Sequence, residues 1–231
     1  MTKRLFVAID LPESTRKLLA NLDPHIRGVR WIDPSQMHLT LAFFGDVADD
    51  IELALREKLG SIDLGAFFLP IVGVGTFPAK GAPKIIWIGV GKAHPHLFQM
   101  YKRVQEAALA AGLEPELRPW HPHITIARCR DVAPQSLRSF LKANADLDAG
   151  MIRVDAFHLY SSDLTPAGPI HTRVCVAHMA TAAGSQSLAR KRRSHMLKRT
   201  SFSGNANPRF NDRPKNHQRR SQQISREQCR A

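Results

Sequence analysis

Two four-residue segments, 85 positions apart, carry the side chains best suited to chemistry: His38-Leu39-Thr40-Leu41 and His123-Ile124-Thr125-Ile126. Each sets an imidazole and a hydroxyl two positions apart and fills the alternate positions with aliphatics. In an extended strand, residues i and i+2 share a face. His and Thr therefore point one way, and the Leu or Ile pair points the other way, toward a core. Two imidazoles facing each other across a cleft supply one general base and one general acid, because histidine changes charge near neutral pH. Two hydroxyls donate hydrogen bonds to phosphate-like oxygens held between them. A lone strand histidine is usually structural. A second copy, in the same strand phase and with the same kind of partners, points to a site.

The elements that must position these motifs read as alternating strands and helices. Residues 5–10 and 37–44 form strands, the second ended by Gly45-Asp46. Helical spacing runs over 14–26 after Pro12, and over 49–59, where Asp49 or Asp50 is a cap and Ile51, Leu53, Leu55 and Leu59 recur. Residues 67–77 and 84–90 are β-rich, a helix spans 96–111 and stops at Gly112, and the second motif strand spans 123–128. A helix opens at Pro134, and strands follow at 151–160 and 171–178. Several strands are joined by loops too short for a crossover. This predicts an α+β fold of mainly antiparallel sheet with outer helices, in two pseudo-symmetric lobes with the active-site cleft between them.

Charge divides the chain in two. The net charge is +13, yet residues 181–231 hold thirteen Lys/Arg and two Asp/Glu, leaving residues 1–180 with twenty basic and eighteen acidic side chains. The expected domains are therefore 1–180, folded, and 181–231, a basic tail too poor in aliphatics to order itself. Such a tail suits sequence-independent contact with RNA or another polyanion, or is simply a solvated extension. No apolar run approaches a membrane span, and Asp10 interrupts the first apolar stretch, so that stretch reads as a strand and not as a signal peptide. Three scattered cysteines, Cys129, Cys175 and Cys229, argue against a disulfide framework and suit the cytoplasm. No ligand spacing calls for a metal. His121 with Cys129 lacks the further ligands of a tetrahedral zinc site. No cofactor is expected, and the protein is expected to be a monomer.

Further residues extend the pattern. Arg4-Leu5-Phe6-Val7-Ala8-Ile9, Trp31, His38-Leu39-Thr40-Leu41-Ala42-Phe43-Phe44-Gly45 and Pro122-His123-Ile124-Thr125-Ile126-Ala127-Arg128 together resemble the 2H phosphoesterase superfamily. Within it, the chain more closely resembles the RNA 2′,3′-cyclic phosphodiesterases, also called 2′-5′ RNA ligases. The likeness covers roughly residues 3–178 and leaves out the tail. Relatives often carry a tyrosine after a Gly-Pro where this chain has His171.

The resemblance implies hydrolysis of RNA 2′,3′-cyclic phosphate ends to a 2′-phosphate, without metal, and with weak 2′-5′ ligation by the same chemistry. Water must lose a proton as it attacks phosphorus, the departing ribose oxygen must gain one, and the equatorial oxygens need stabilising donors. Thr40 and Thr125 suit the last task. Residue types alone leave open which histidine is base. The resemblance implies His123 for water and His38 for the 3′ oxygen. It also implies that Arg128 contacts phosphate or ribose, in place of its plain reading as a strand-end surface residue. Phe44 shares the parity of His38 and Thr40, which makes it the better candidate than Phe43 to stack on a base. Two alternatives stand beside this reading: a phosphodiesterase for a small cyclic or 2′-5′-linked nucleotide, and a non-catalytic RNA-binding module that uses the basic tail.

Overall fold

Strand β1 (Thr2–Asp10) carries an unbroken apolar run, and Leu5 to Ile9 are all buried. A run buried on both faces belongs in the middle of a covered sheet. β1 lies there, between β3 (His38–Ala48) and β9 (Ala156–Thr165), antiparallel to both. The computed structural model describes residues 2–114, 116, 118–166 and 168–179, all within a unit spanning Met1–Ala189. The basic segment 181–231 lies outside the described residues.

The main sheet runs β10 (Gly168–His178), β9, β1, β3, β7 (His123–Cys129), β6 (Ile85–Gly89), β5 (Val74–Phe77), with β2 (Val29–Trp31) paired on β7. Its two halves meet at one residue pair, Leu39 opposite Ile124. These two residues hold the same place in the two copies of the motif, so an approximate two-fold axis passes between them. A second antiparallel ribbon joins β4 (Phe67–Val72) to β8 (Asp148–Val154). Each lobe thus has a motif strand on the seam, and both motifs lie beside one axis.

Helices α1 (Glu13–Ala20), α2 (Asp49–Gly60), α3 (Pro95–Ala110) and α4 (Arg138–Ala143) complete the described fold. On α3, Leu97, Met100, Val104, Ala107 and Ala108 are buried, an i, i+3, i+4 stripe. Pro95 suits the first turn, where its missing N–H is no loss, and His94 accepts the His96 backbone N–H as the cap. On α2 the cap is Ala48. Asp49, Asp50 and Glu52 fill the first turn, where carboxylates complement the helix dipole.

The elements differ from expectation at their edges. Gly45, with φ of +70°, does not end β3: it sits inside the strand opposite Leu5, at a register irregularity only a residue without Cβ takes easily. Residues 151–160 are not one strand. Asp155 separates β8 from β9, which belong to different sheets. Leu53 is exposed on α2, whereas Glu52 is buried there, satisfied by Lys3 and Arg56.

Candidate active site

Both motifs adopt the expected pattern. Leu39, Leu41, Ile124 and Ile126 are almost fully buried, whereas His38, Thr40, His123 and Thr125 are partly open. All four polar residues line one cleft of about 800 Å³. The same cleft takes in Arg4, Arg30, Arg128, Phe43, Trp31 and His171.

Local contacts fix each imidazole. His123 Nδ1 lies 2.7 Å from the carbonyl of His121, two residues upstream, so this nitrogen donates and Nε2 is left for chemistry. His38 makes the corresponding bond to the backbone of Gln36, also two residues upstream. Phe6 stacks on His38 with ring centroids 5.0 Å apart, and Phe77 meets His123 edge-on at 5.0 Å. Trp120 Nε1 donates to the Thr40 carbonyl at 3.2 Å, which pins the first motif strand. Gln36 donates to the Pro169 carbonyl at 2.8 Å and ties the entry to β3 to the β9–β10 hairpin.

Burial sets the electrostatics. It pushes His38 down to about 4, and the nearby cationic forms of His171 and His123 push the same way. The carbonyl of Gln36 and the carboxylate of Asp10 oppose the shift without cancelling it. His123 is also lowered, first by burial and then by His121, against the pull of the His121 carbonyl. His171, whose ring meets that of His38 edge-on at 5.6 Å, is lowered by burial and by Arg128. Both motif histidines are therefore neutral at rest near pH 7.

A shared irregularity decides what else reaches the cleft. Along β1, Ala8 faces Thr40 and Val7 faces Ala42, so Leu41 is an extra residue. Along β6, Trp87 faces Thr125 and Ile86 faces Ala127, so Ile126 is the extra residue. An extra residue in one strand reverses which side chains face which way beyond it. Leu41 and Ala42 are consequently both buried, as are Ile126 and Ala127. Five positions past each histidine, Phe43 and Arg128 then turn to the cleft.

This corrects the expectation for Phe44. It packs against the core and is not among the cleft residues; Phe43 takes that place, 46% exposed, with the Arg4 guanidinium 4.9 Å above its ring. Arg128 lies where it was expected, although strict alternation would have turned it away. Sequence reasoning missed Arg4 and Arg30. Arg30 faces Arg128 directly across the β2–β7 pair, and both line the cleft. Two guanidinium groups side by side on one wall suit an anionic ligand. Among the described residues, no group of three or more His, Cys, Asp or Glu is placed to hold a metal ion.

A family model for LigT-like phosphoesterases matches residues 9–87 and again residues 88–171, one motif in each copy. The chain belongs to the LigT-like phosphoesterase family. Members similar to it include the RNA 2′,3′-cyclic phosphodiesterase of Archaeoglobus fulgidus, 31% identical over 172 residues, covering 73% of this chain and 96% of the relative. That of Methanothermobacter thermautotrophicus is 31% identical over 182 residues, covering 74% of this chain and 96% of the relative. Among solved members, Escherichia coli LigT complexed with 3′-AMP superposes with a TM-score of 0.65 at 27% identity, covering 78% of this chain and 99% of that one. TT0787 of Thermus thermophilus superposes at 0.63 with 26% identity, covering 76% of this chain and 97% of that one. The doubled family match agrees with the two-fold relation at Leu39 and Ile124.

Proposed function

We propose that this protein is a phosphodiesterase that opens 2′,3′-cyclic phosphate ends of RNA by two-histidine acid/base catalysis and leaves a 2′-phosphate. The observation that carries the reading is the convergence of both His-x-Thr pairs on one arginine-lined cleft. Relatives named for this activity support the substrate class. His123 takes a proton from water as the water oxygen bonds to phosphorus. The bond from phosphorus to the 3′ oxygen breaks, and His38 gives that oxygen its proton. Thr40 and Thr125 donate to the non-bridging oxygens, where charge accumulates, and Arg128 adds a fixed positive charge. Phe43 offers its open face to a base. A 5′-hydroxyl in place of water forms a 2′-5′ linkage, and abundant water keeps this ligation weak.

The resting electrostatics add one requirement. His38 is neutral in the free site, so it acquires its proton as the anionic substrate binds, and binding is coupled to proton uptake. Both motifs come from one chain, so a monomer completes the site. Cys129 and Cys175 are free thiols, which suits the reducing cytoplasm.

The test is product identity. An RNA oligonucleotide with a 2′,3′-cyclic phosphate end, incubated with the protein in EDTA, yields a 2′-phosphate. His38→Ala and His123→Ala, with folding checked by circular dichroism, each lose at least about a hundredfold of the rate. Undiminished turnover by either folded variant overturns the two-histidine mechanism.

A further inference from the structure

A second, smaller pocket adjoins the cleft at the His38 ring. It encloses about 270 Å³ and shares only Phe6, His38 and His171 with the main cleft. Its remaining lining is Asp10, Arg16, Ser35, Met37, Tyr160 and Arg173, drawn from β1, α1, the turn before β3, and the β9–β10 hairpin.

This lining is arranged around a carboxylate that is already satisfied. Asp10 accepts from the Tyr160 hydroxyl at 2.7 Å and from the Arg173 guanidinium at 2.7 Å, and its Oδ2 lies 3.5 Å from His158 Nδ1. Arg173 therefore balances Asp10. Arg16 comes from α1, and among the described residues no carboxylate pairs with it. The pocket keeps one net positive charge, with guanidinium donors set beside the rings of Phe6, His38, Tyr160 and His171. Guanidinium donors with a net positive charge suit a phosphate-like anion.

We propose that this pocket binds the phosphate on the 5′ oxygen of the terminal ribose, the next phosphate along the RNA chain, with Arg16 as its principal cation. The inference rests on the functional reading above and narrows it. If His38 protonates the departing 3′ oxygen, the terminal ribose lies on the His38 side of the reacting phosphorus. The 5′ oxygen of that ribose is then directed toward the neighbouring pocket, which shares the His38 wall with the cleft. The preferred substrate then carries a phosphate on its terminal 5′ oxygen, as an RNA end does, and a nucleoside cyclic phosphate lacking one leaves the pocket unfilled.

Binding to the full-length chain separates this proposal from catalysis. Titration calorimetry with adenosine 2′-monophosphate and adenosine 2′,5′-bisphosphate compares two product-like ligands that differ by one 5′-phosphate. The bisphosphate binds about tenfold tighter to the wild type, as one charge-assisted phosphate contact requires. Arg16→Gln reduces that ratio to under threefold with the monophosphate affinity unchanged, and Arg16→Glu reverses it. Equal affinities in the wild type, or a ratio unchanged in Arg16→Gln, overturn the proposal. Failure to hydrolyse any cyclic phosphate falls instead on the catalytic reading, and the affinity ratio still decides the pocket.

Discussion

The low pKa of His38 makes a stability prediction that needs no substrate. The unfolded chain binds a proton at this residue near pH 6.5, and the folded protein only near pH 4. A histidine whose folded value is depressed below its unfolded one is held neutral by the fold. For a histidine, that contribution is intact above the unfolded value and is lost as pH falls from 6.5 toward 4. Linkage across that interval gives a loss of about 2 kcal/mol between pH 7 and pH 5, and about 3 kcal/mol by pH 4. The assay is urea unfolding of the wild type and of His38→Gln at pH 7 and pH 5. Glutamine keeps a polar side chain of similar reach and does not titrate. Loss of the Phe6 stacking contact lowers the variant equally at both pH values and cancels in the comparison. The wild type should therefore lose about 2 kcal/mol more than the variant over this range. Parallel losses, within about 0.5 kcal/mol, would refute the claim that burial holds His38 neutral.

Three further outcomes follow from the site. A p-nitrophenyl phosphodiester leaves without needing a proton, so His38→Ala should keep most of its rate on that ester while His123→Ala does not; the opposite pattern exchanges acid and base. Phe43→Ala should raise KM for an RNA end severalfold with little change in melting temperature, and Phe44→Ala should cost about 2 kcal/mol in urea unfolding with KM held. The reverse result would restore the strict alternation that the extra residue at Leu41 breaks. Arg30→Gln should weaken 2′-AMP binding severalfold in titration calorimetry, because it removes one of the guanidinium groups that line the cleft. Unchanged binding would remove Arg30 from the site.

The placement of the two motifs was legible in the sequence because the strand period is short and strict. Two His-x-Thr pairs flanked by aliphatics need only period two to put imidazole and hydroxyl on one face. The unbroken run from Leu5 to Ile9 needs only burial to become the central strand. What the sequence hid depends on distant partners. Arg30 reaches the cleft because β2 pairs with β7 across nearly a hundred residues, and local periodicity carries no trace of that pairing. Asp155 splits two strands because β8 joins β4 while β9 joins β1, a tertiary choice.

The misplacement of Phe44 is more instructive, because its signal was present. Alternation holds from His38 to Leu41 and then fails: Ala42 follows Leu41 with no polar residue between them. The second copy fails at the same step, where Ala127 follows Ile126. Two adjacent apolar residues in a strand with one wet face violate period two unless one of them is extra to the pairing. One such violation is uninformative, since alanine tolerates either face. The same violation at the same offset in both copies marks a bulge that re-aims the fifth residue past each histidine. That rule, applied to the sequence, turns Phe43 and Arg128 into the cleft together. It also explains how a strand can bury its aliphatics beneath the histidine and still deliver a guanidinium to the same face five positions later, which strict alternation forbids.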